Sequence, residues 1–313
     1  MKILSKGEGM PFDSAIALGM FDGVHLGHSA VIDNVVKSKE EGLAPTVFTF
    51  SVGSMVQKHD RELFYIFSNK IKLELFNQLG IEYVCSPRFG EMKNMSAEDF
   101  AREILKNRLR AKKVACGHNF HFGKGGVYGL EELCFLGKKY GFEVESIPRV
   151  TYEEKPISSV LIREYIKIGE VEIANRLLGR NYFIEQIVSH GRKIGRTMDF
   201  PTLNQYFDER QLIPHFGAYA SITIIDNQKH ASITNIGVKP TVQRRAEPLA
   251  ETHIFGYNGD IYGQIIRVEL LHFIRGERRF NSINELKNRI AIDAKAAKEY
   301  LRDNGWEDLF KYE

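Results

Sequence analysis

Gly19-Met20-Phe21-Asp22-Gly23-Val24-His25-Leu26-Gly27-His28 follows an apolar run at 15–18 and precedes a stretch with helical spacing, so it reads as a turn from strand into helix. Three glycines in ten residues let a backbone turn sharply and approach a ligand, and His25 and His28 place ring nitrogens near a helix N-terminus, where anions are favoured. A phosphate grip is built this way. The same spacing also serves an ordinary tight turn whose histidines cap or coat the helix.

Working outward, residues 28–41 carry Ala30, Val31, Val35 and Val36 at helical intervals and stop at Gly42. Residues 46–50 read as a strand, Ser68 caps a helix that ends at Gly80, and 81–85 is a short strand. Ser96 with Asp99 opens a helix through Arg108, and then come a strand at 114–116, a helix at 131–140 and a strand at 142–147. This β-α-β-α order predicts a parallel sheet with helices on both faces and ligands beyond the carboxyl ends of its strands, where the opening turn lies. Two later segments would converge there. The loop 117–129, with Asn119, Phe120, Phe122 and several glycines, suits stacking on a flat ring or a plain surface loop, and fits neither the dinucleotide fingerprint nor a Walker A sequence. Ser158 and Ser159 start another helix with Arg163 one turn inside, placed for phosphate oxygens or simply for solvent.

Near residue 182 the style changes to short β runs, which sets a domain boundary between 1–181 and 182–313, with a helix at 171–178 as connector. Strands are expected at 182–188, 218–225, 231–236, 251–257 and 264–273, with Asp226-Asn227 and Asn258-Gly259 as turn residues, giving a small antiparallel barrel. Ser282 and Glu285 cap a final helix whose stripe Ile283, Leu286, Ile290, Ala294, Ala297 and Leu301 should pack on the barrel. Between the first two expected strands, Gly191, Arg192, Lys193, Gly195 and Arg196 can wrap an anion, and Thr202 and Asn204 present two oxygens suited to Mg²⁺; a basic surface hairpin fits the segment equally.

The chain has 313 residues, 43% hydrophobic and 27% charged, enough for two cores and without low-complexity tracts. A net charge of +3 suits a phosphate-bearing substrate and falls short of a nucleic-acid footprint, so no nucleic-acid partner is expected. Cys85, Cys116 and Cys134 are odd in number and dispersed, which argues against a disulfide framework or a zinc site and fits a reducing cytoplasm. No run reaches the roughly eighteen apolar residues of a membrane span, so neither export nor membrane anchoring is expected.

With both halves laid out, the chain resembles the bacterial bifunctional riboflavin kinase and FMN adenylyltransferase (FAD synthetase) family nearly end to end. The first half is similar to its nucleotidyltransferase module through Phe21-Asp22-Gly23-x-His25-x-Gly27-His28, Gly117-x-Asn119-Phe120-x-Phe122-Gly123, and Ser158-Ser159 with Arg163. The second half is similar to its flavokinase barrel through Gly191, Gly195-Arg196, Pro201-Thr202-x-Asn204, Asn235-Ile236-Gly237 with Pro240-Thr241, and Glu251 opening a Glu-x-His strand. The resemblance implies a Rossmann-like nucleotidyltransferase domain followed by a Greek-key flavokinase barrel. It implies ATP, riboflavin and FMN as substrates, FMN and FAD as products, and Mg²⁺ as cofactor. By resemblance Glu251 is the base that receives the riboflavin hydroxyl proton, Thr202 and Asn204 hold Mg²⁺, and the loop around Gly191, Gly195 and Arg196 closes over ATP. His25, His28 and Arg163 would neutralise the phosphates of adenylyl transfer, with Gly19, Phe21, Asp22, Gly27, Ser158 and Ser159 around them and Asn119 at the flavin end.

Three departures from the family pattern stand out. Ser51-Val52-Gly53 replaces a Pro-His-Pro, Val160 replaces a hydroxyl-bearing third residue, and Asp199 replaces a glycine near the ATP loop. Two of the three fall on the adenylyltransferase half, and losing one polar contact to a transferring phosphate can cost on the order of a hundredfold in rate. The alternatives are therefore a monofunctional member with one degenerate half, or a flavin-binding regulator without turnover.

Overall fold

Strand β2 (Ser14–Leu18) is buried on both faces along its whole length, as a central strand of a parallel sheet must be. The computed structural model describes residues 1–51, 64–189, 200–239 and 247–310, and its chain divides into two compact units, Met1–Ser159 and Val160–Glu313. Of the residues singled out from sequence, Val52, Gly53, Gly191, Arg192, Lys193, Gly195, Arg196, Asp199, Pro240 and Thr241 lie outside the described residues.

The first unit runs β1 (Lys2–Ile3), β2, α1 (Leu26–Lys37), β3 (Ala44–Phe48), α2 (Asn69–Gln78), β4 (Tyr83–Cys85) and α3 (Phe89–Met92). Then come α4 (Ala97–Asp99) passing into a π-helical stretch Phe100–Arg108, β5 (Ala111–Gly117), α5 (Leu130–Tyr140), β6 (Glu143–Ile147) and a small antiparallel pair, β7 (Thr151–Tyr152) and β8 (Lys155–Pro156). Six strands form one parallel sheet in the order β1-β4-β3-β2-β5-β6. The chain first winds from β2 towards β4 and later returns to the other side through β5. The carboxyl end of β2, between β3 and β5, is therefore the switch point of the sheet, where such folds gather ligands. Helix starts follow the expected caps: Ser68 Oγ accepts from Ile71 N, and Ser96 Oγ from Asp99 N. The helix expected over 28–41 instead begins at Leu26 and tightens into a 3₁₀ turn over Ser38–Glu41, because His25 is the residue that caps it.

The second unit takes most of α6 (Ser159–Ile168) and all of α7 (Val171–Leu178), so packing changes well before the change of style at 182. The Asn175 amide ties α7 to the strands, donating to Leu270 O at 2.9 Å while its oxygen accepts from Tyr182 N at 2.6 Å. Six antiparallel strands follow: β9 (Tyr182–Ile187), β10 (Leu203–Tyr206), β11 (Gly217–Ile225), β12 (Gln228–Lys239), β13 (Glu247–Ile254) and β14 (Ile265–Gly276). Their order is β10-β13-β12-β11-β14-β9, and a bridge between Ser189 and Asn204 closes the ring. Strands β11 to β14 lie as 14-11-12-13, the Greek-key arrangement. Asp226 and Asn227, both at positive φ, make the β11–β12 hairpin turn. Asn258-Gly259 behaves differently: β13 and β14 do not pair with each other, so those two residues sit in a crossover.

Part of the barrel interior is polar where an apolar filling would be the simpler choice. Ser221, Thr223, Ser232, Thr234 and Thr252, all wholly buried, satisfy one another through hydroxyl contacts of 2.8 to 2.9 Å. On the outer face, α8 (Ile283–Leu301) buries Ala294, Ala297 and Leu301 against Ala220, Ile222, Ala231 and Ile233. The expected stripe is thus shortened: Ile283 is 71% exposed, and Asp293 is buried instead. Arg275 Nε donates to Asp293 Oδ2 at 2.7 Å, and Arg289 Nε stands 2.8 Å from Oδ1. Removing one partner of such a buried pair leaves uncompensated charge and costs about 3–5 kcal/mol. Asp293→Ala should therefore lower the urea midpoint of the second unit, read by fluorescence of Trp306, the only tryptophan, which packs on this cluster. An unchanged midpoint would show the pair to be energetically idle.

Candidate functional site

The turn after β2 is strained in a way its glycines alone do not explain. Gly23 has φ 78°, but Phe21 (φ 51°) and the β-branched Val24 (φ 42°) are also left-handed, each at a cost of roughly 1–3 kcal/mol. Gly19 and Gly27 are not left-handed; their role is room. A Cβ at Gly19 would stand 3.0 Å from the Phe21 ring, and one at Gly27 3.2 Å from the His25 ring. Phe21 and Val24 are fully buried, so packing holds the strained backbone in place.

The two histidines form one unit. His25 is the N-cap of α1, its Nδ1 accepting from His28 N at 3.3 Å, which requires Nδ1 to be unprotonated. The His28 ring stacks on His25 with centroids 3.6 Å apart and meets the edge of Phe21 at 5.2 Å. Burial first, with the neighbouring His25 and the Lys72 ammonium adding to it, holds His28 well below the usual imidazole range, so it is neutral at physiological pH. Its Nδ1 is buried and has no hydrogen-bond partner among the described residues. Asp22 ties the turn outward: Oδ1 accepts from Ile66 N at 3.1 Å, and its carbonyl accepts from Ser159 Oγ at 2.9 Å. The Ser158-Ser159 segment is thereby brought to the Gly19–His28 turn. Arg163 lies one helical turn further along α6, in the second unit.

The loop after β5 leaves the sheet beside β2. Phe120 and Phe122 stack at 5.8 Å, and Phe122 bridges to Tyr128 to close the loop as a small hairpin. Phe122 is a core residue, 7% exposed and packed with Phe100, whereas Asn119 is exposed in the turn that directly follows β5. Sequence reasoning passed over Lys72. Only 2% exposed, it donates to Phe50 O at 2.9 Å, Thr49 Oγ1 at 3.3 Å and Met20 O at 3.4 Å. Its signal was a lysine three and four residues before Leu75 and Phe76, on the buried face of α2.

In the second unit, register does the positioning. Asn204, Glu251 and Asn235 are directly opposite one another across β10, β13 and β12, so their side chains share one face. Asn204 is buried and Glu251 half-buried, and Thr202 precedes β10 by one residue. His253, on the same face of β13 as Glu251, donates from Nδ1 to Pro201 O at 2.9 Å and so fixes the chain entering Thr202. His253 is the histidine of the Glu-x-His strand, but its contact to Pro201 was not foreseen from sequence. Among the described residues no three His, Cys, Asp or Glu side chains are grouped to hold a metal. A hydroxyl, an amide and a carboxylate are nonetheless hard oxygen donors of the kind Mg²⁺ accepts together with phosphate oxygens.

Both units match known families. The riboflavin kinase family model matches residues 178–301 and the FAD synthetase family model residues 9–161. The bifunctional riboflavin kinase/FMN adenylyltransferase of Bacillus subtilis is 35% identical over 295 residues, 92% of each chain. Its Escherichia coli K12 counterpart is 32% identical over 290 residues, 91% of this chain and 92% of the relative. The crystal structure titled macrolide-efflux protein from Streptococcus pneumoniae superposes with a TM-score of 0.83 at 29% identity, over 93% of this chain and 96% of that one. Among the described residues no helix is long and apolar enough to cross a membrane.

The buried neutral state of His28 has a thermodynamic sign. The unfolded chain takes up this proton near pH 6.5 and the folded chain only well below it, so the stability His28 contributes is whole above 6.5 and is lost as pH falls. The melting temperature of the wild type should therefore drop more between about pH 7 and about pH 5 than that of His28→Gln. Equal drops would place the charged imidazole comfortably in the fold.

Proposed function

The chain belongs to the bifunctional riboflavin kinase/FMN adenylyltransferase family, and we propose that it carries out both steps, each in its own unit. The observation that carries this reading is that the two family models fall on successive parts of the chain, and that the first holds the capped and strained histidine turn and the second the Asn204–Glu251–Asn235 row. Relatives named for both activities span nearly the whole chain, so a one-activity member or a flavin-binding regulator is not favoured.

In the kinase step the riboflavin 5′-hydroxyl oxygen attacks the γ-phosphorus of ATP, the bond from that phosphorus to the bridging oxygen breaks, and ADP leaves. Glu251 receives the hydroxyl proton. Thr202 and Asn204 would hold Mg²⁺, which when bound neutralises charge on the phosphates. His253, through Pro201, keeps Thr202 in line with Asn204. In the adenylyl step an FMN phosphate oxygen attacks the α-phosphorus of ATP and pyrophosphate leaves. The nucleophile is already an anion, so the site has mainly to orient and stabilise charge. The N-terminus of α1 faces the phosphates, and neutral His28 offers a hydrogen bond without having to shed a proton.

The purified chain with ATP and Mg²⁺ should convert riboflavin to FMN and FMN to FAD, as read by chromatography of the flavins. Glu251→Gln should lower FMN formation about a hundredfold or more and spare FAD formation, and His28→Ala should do the reverse. Loss of both activities from either change in a folded protein would contradict separate sites.

A further inference from the structure

A charged group kept where it weakens the fold asks for a reason. Lys72 is buried on α2, and burial pulls its amine down to about 8 from 10.5, against a smaller upward pull from Asp22. It is thus still mostly cationic near neutral pH. Between about 8 and 10.5 the unfolded chain binds more protons than the folded one, so the stability contributed by this residue rises with pH through that window. At pH 7 the charge is therefore carried at a cost in stability, which an apolar side chain of similar length would avoid.

The geometry shows where that charge sits. Strands β2 and β3 end side by side, and beyond their last paired residues the carbonyls of Met20 and Phe50 both accept from the Lys72 ammonium, at 3.4 and 2.9 Å. Thr49 Oγ1 completes the cluster, accepting from Lys72 and donating to Met20 O at 3.0 Å. Met20 is the residue before the left-handed Phe21, so the clamp holds the entry to the strained turn. Among the described residues, the titratable groups around it are Asp22 beyond β2 and His28 and His25 at the start of α1; Lys72 is among the charges that disfavour protonation of His28.

We propose that Lys72 is a positioning residue for adenylyl transfer, its ammonium clamping the carbonyl ends of two neighbouring strands to hold the Gly19–His28 turn and adding positive charge behind the phosphates. This rests on assigning adenylyl transfer to the first unit. The ammonium supports a turn that has to meet several phosphate charges, and it acts through that turn and His28, with no bond to substrate required.

The test compares wild type, Lys72→Met and Lys72→Arg as full-length protein. FAD formation from FMN by the wild type should fall as pH rises through about 8, while FMN formation from riboflavin should not share that midpoint. Lys72→Met should lose on the order of a hundredfold in FAD formation and the alkaline midpoint with it, without a lower melting temperature, and Lys72→Arg should recover part of the rate. Unchanged FAD formation in Lys72→Met would overturn the inference, and so would a lower rate accompanied by a lower melting temperature. Should the wild type make FMN but no FAD, the assignment of the first unit fails independently, and NMR titration of the His28 imidazole decides on Lys72. A midpoint that moves up in Lys72→Met supports the clamp and its charge; one that does not move overturns them.

Discussion

A parallel sheet leaves unpaired carbonyls where its strands end, and in the first unit one buried ammonium answers two of them. Lys72 draws the chain after β2 and the chain after β3 together through Met20 O and Phe50 O. From that point the backbone enters a turn with three left-handed residues, two of them side chains that ordinarily avoid such φ values. The turn ends in a histidine that caps α1 and a second histidine stacked on it. Burial of Phe21 and Val24 holds the strained backbone in place, and the clamp fixes where it begins. Ser159 fastens the other side of the same turn through Asp22 O.

The second unit solves its positioning problem by pairing. Antiparallel register puts Asn204, Glu251 and Asn235 in one row, and a slip of one residue would turn each away from its neighbours. The buried hydroxyl network of Ser221, Ser232, Thr234 and Thr252 opposes such a slip, because shifting any strand would leave buried hydroxyls unpaired at about 1–3 kcal/mol each. Polar filling of this barrel thus specifies register in a way an apolar filling of equal volume would not.

Much of this was legible in sequence, for identifiable reasons. Periodicity, caps and glycine stops marked the helices and strands of the first half, because each is a local signal; the helix over 171–178 was read to the residue. The helix through Arg108 was expected but not its π winding over Phe100–Arg108, and β1 and the pair β7–β8 went unread, since they have too few residues to show a period. Strand β10 looked like a mere extended segment, as four residues beside a proline carry little pattern. The turn's histidines and the Glu251-x-His253 pair were visible as motifs, but Lys72 was not, nor was the contact His253 makes. Both work through backbone carbonyls far along the sequence, and a carbonyl has no residue type to recognise. Phe122, counted with the binding loop, belongs to the core, because stacking and packing draw on the same aromatic side chains.

Two separate constellations, one held by an ammonium clamp and one by strand register, require two separate nucleotide sites. The most direct measurement is calorimetric titration of the full-length chain with a non-hydrolysable ATP analogue in the presence of Mg²⁺. Two equivalents should bind per chain, one lost in His28→Ala and the other in Asn204→Ala. A single equivalent in the wild type, or one abolished by both substitutions, would contradict the division of labour.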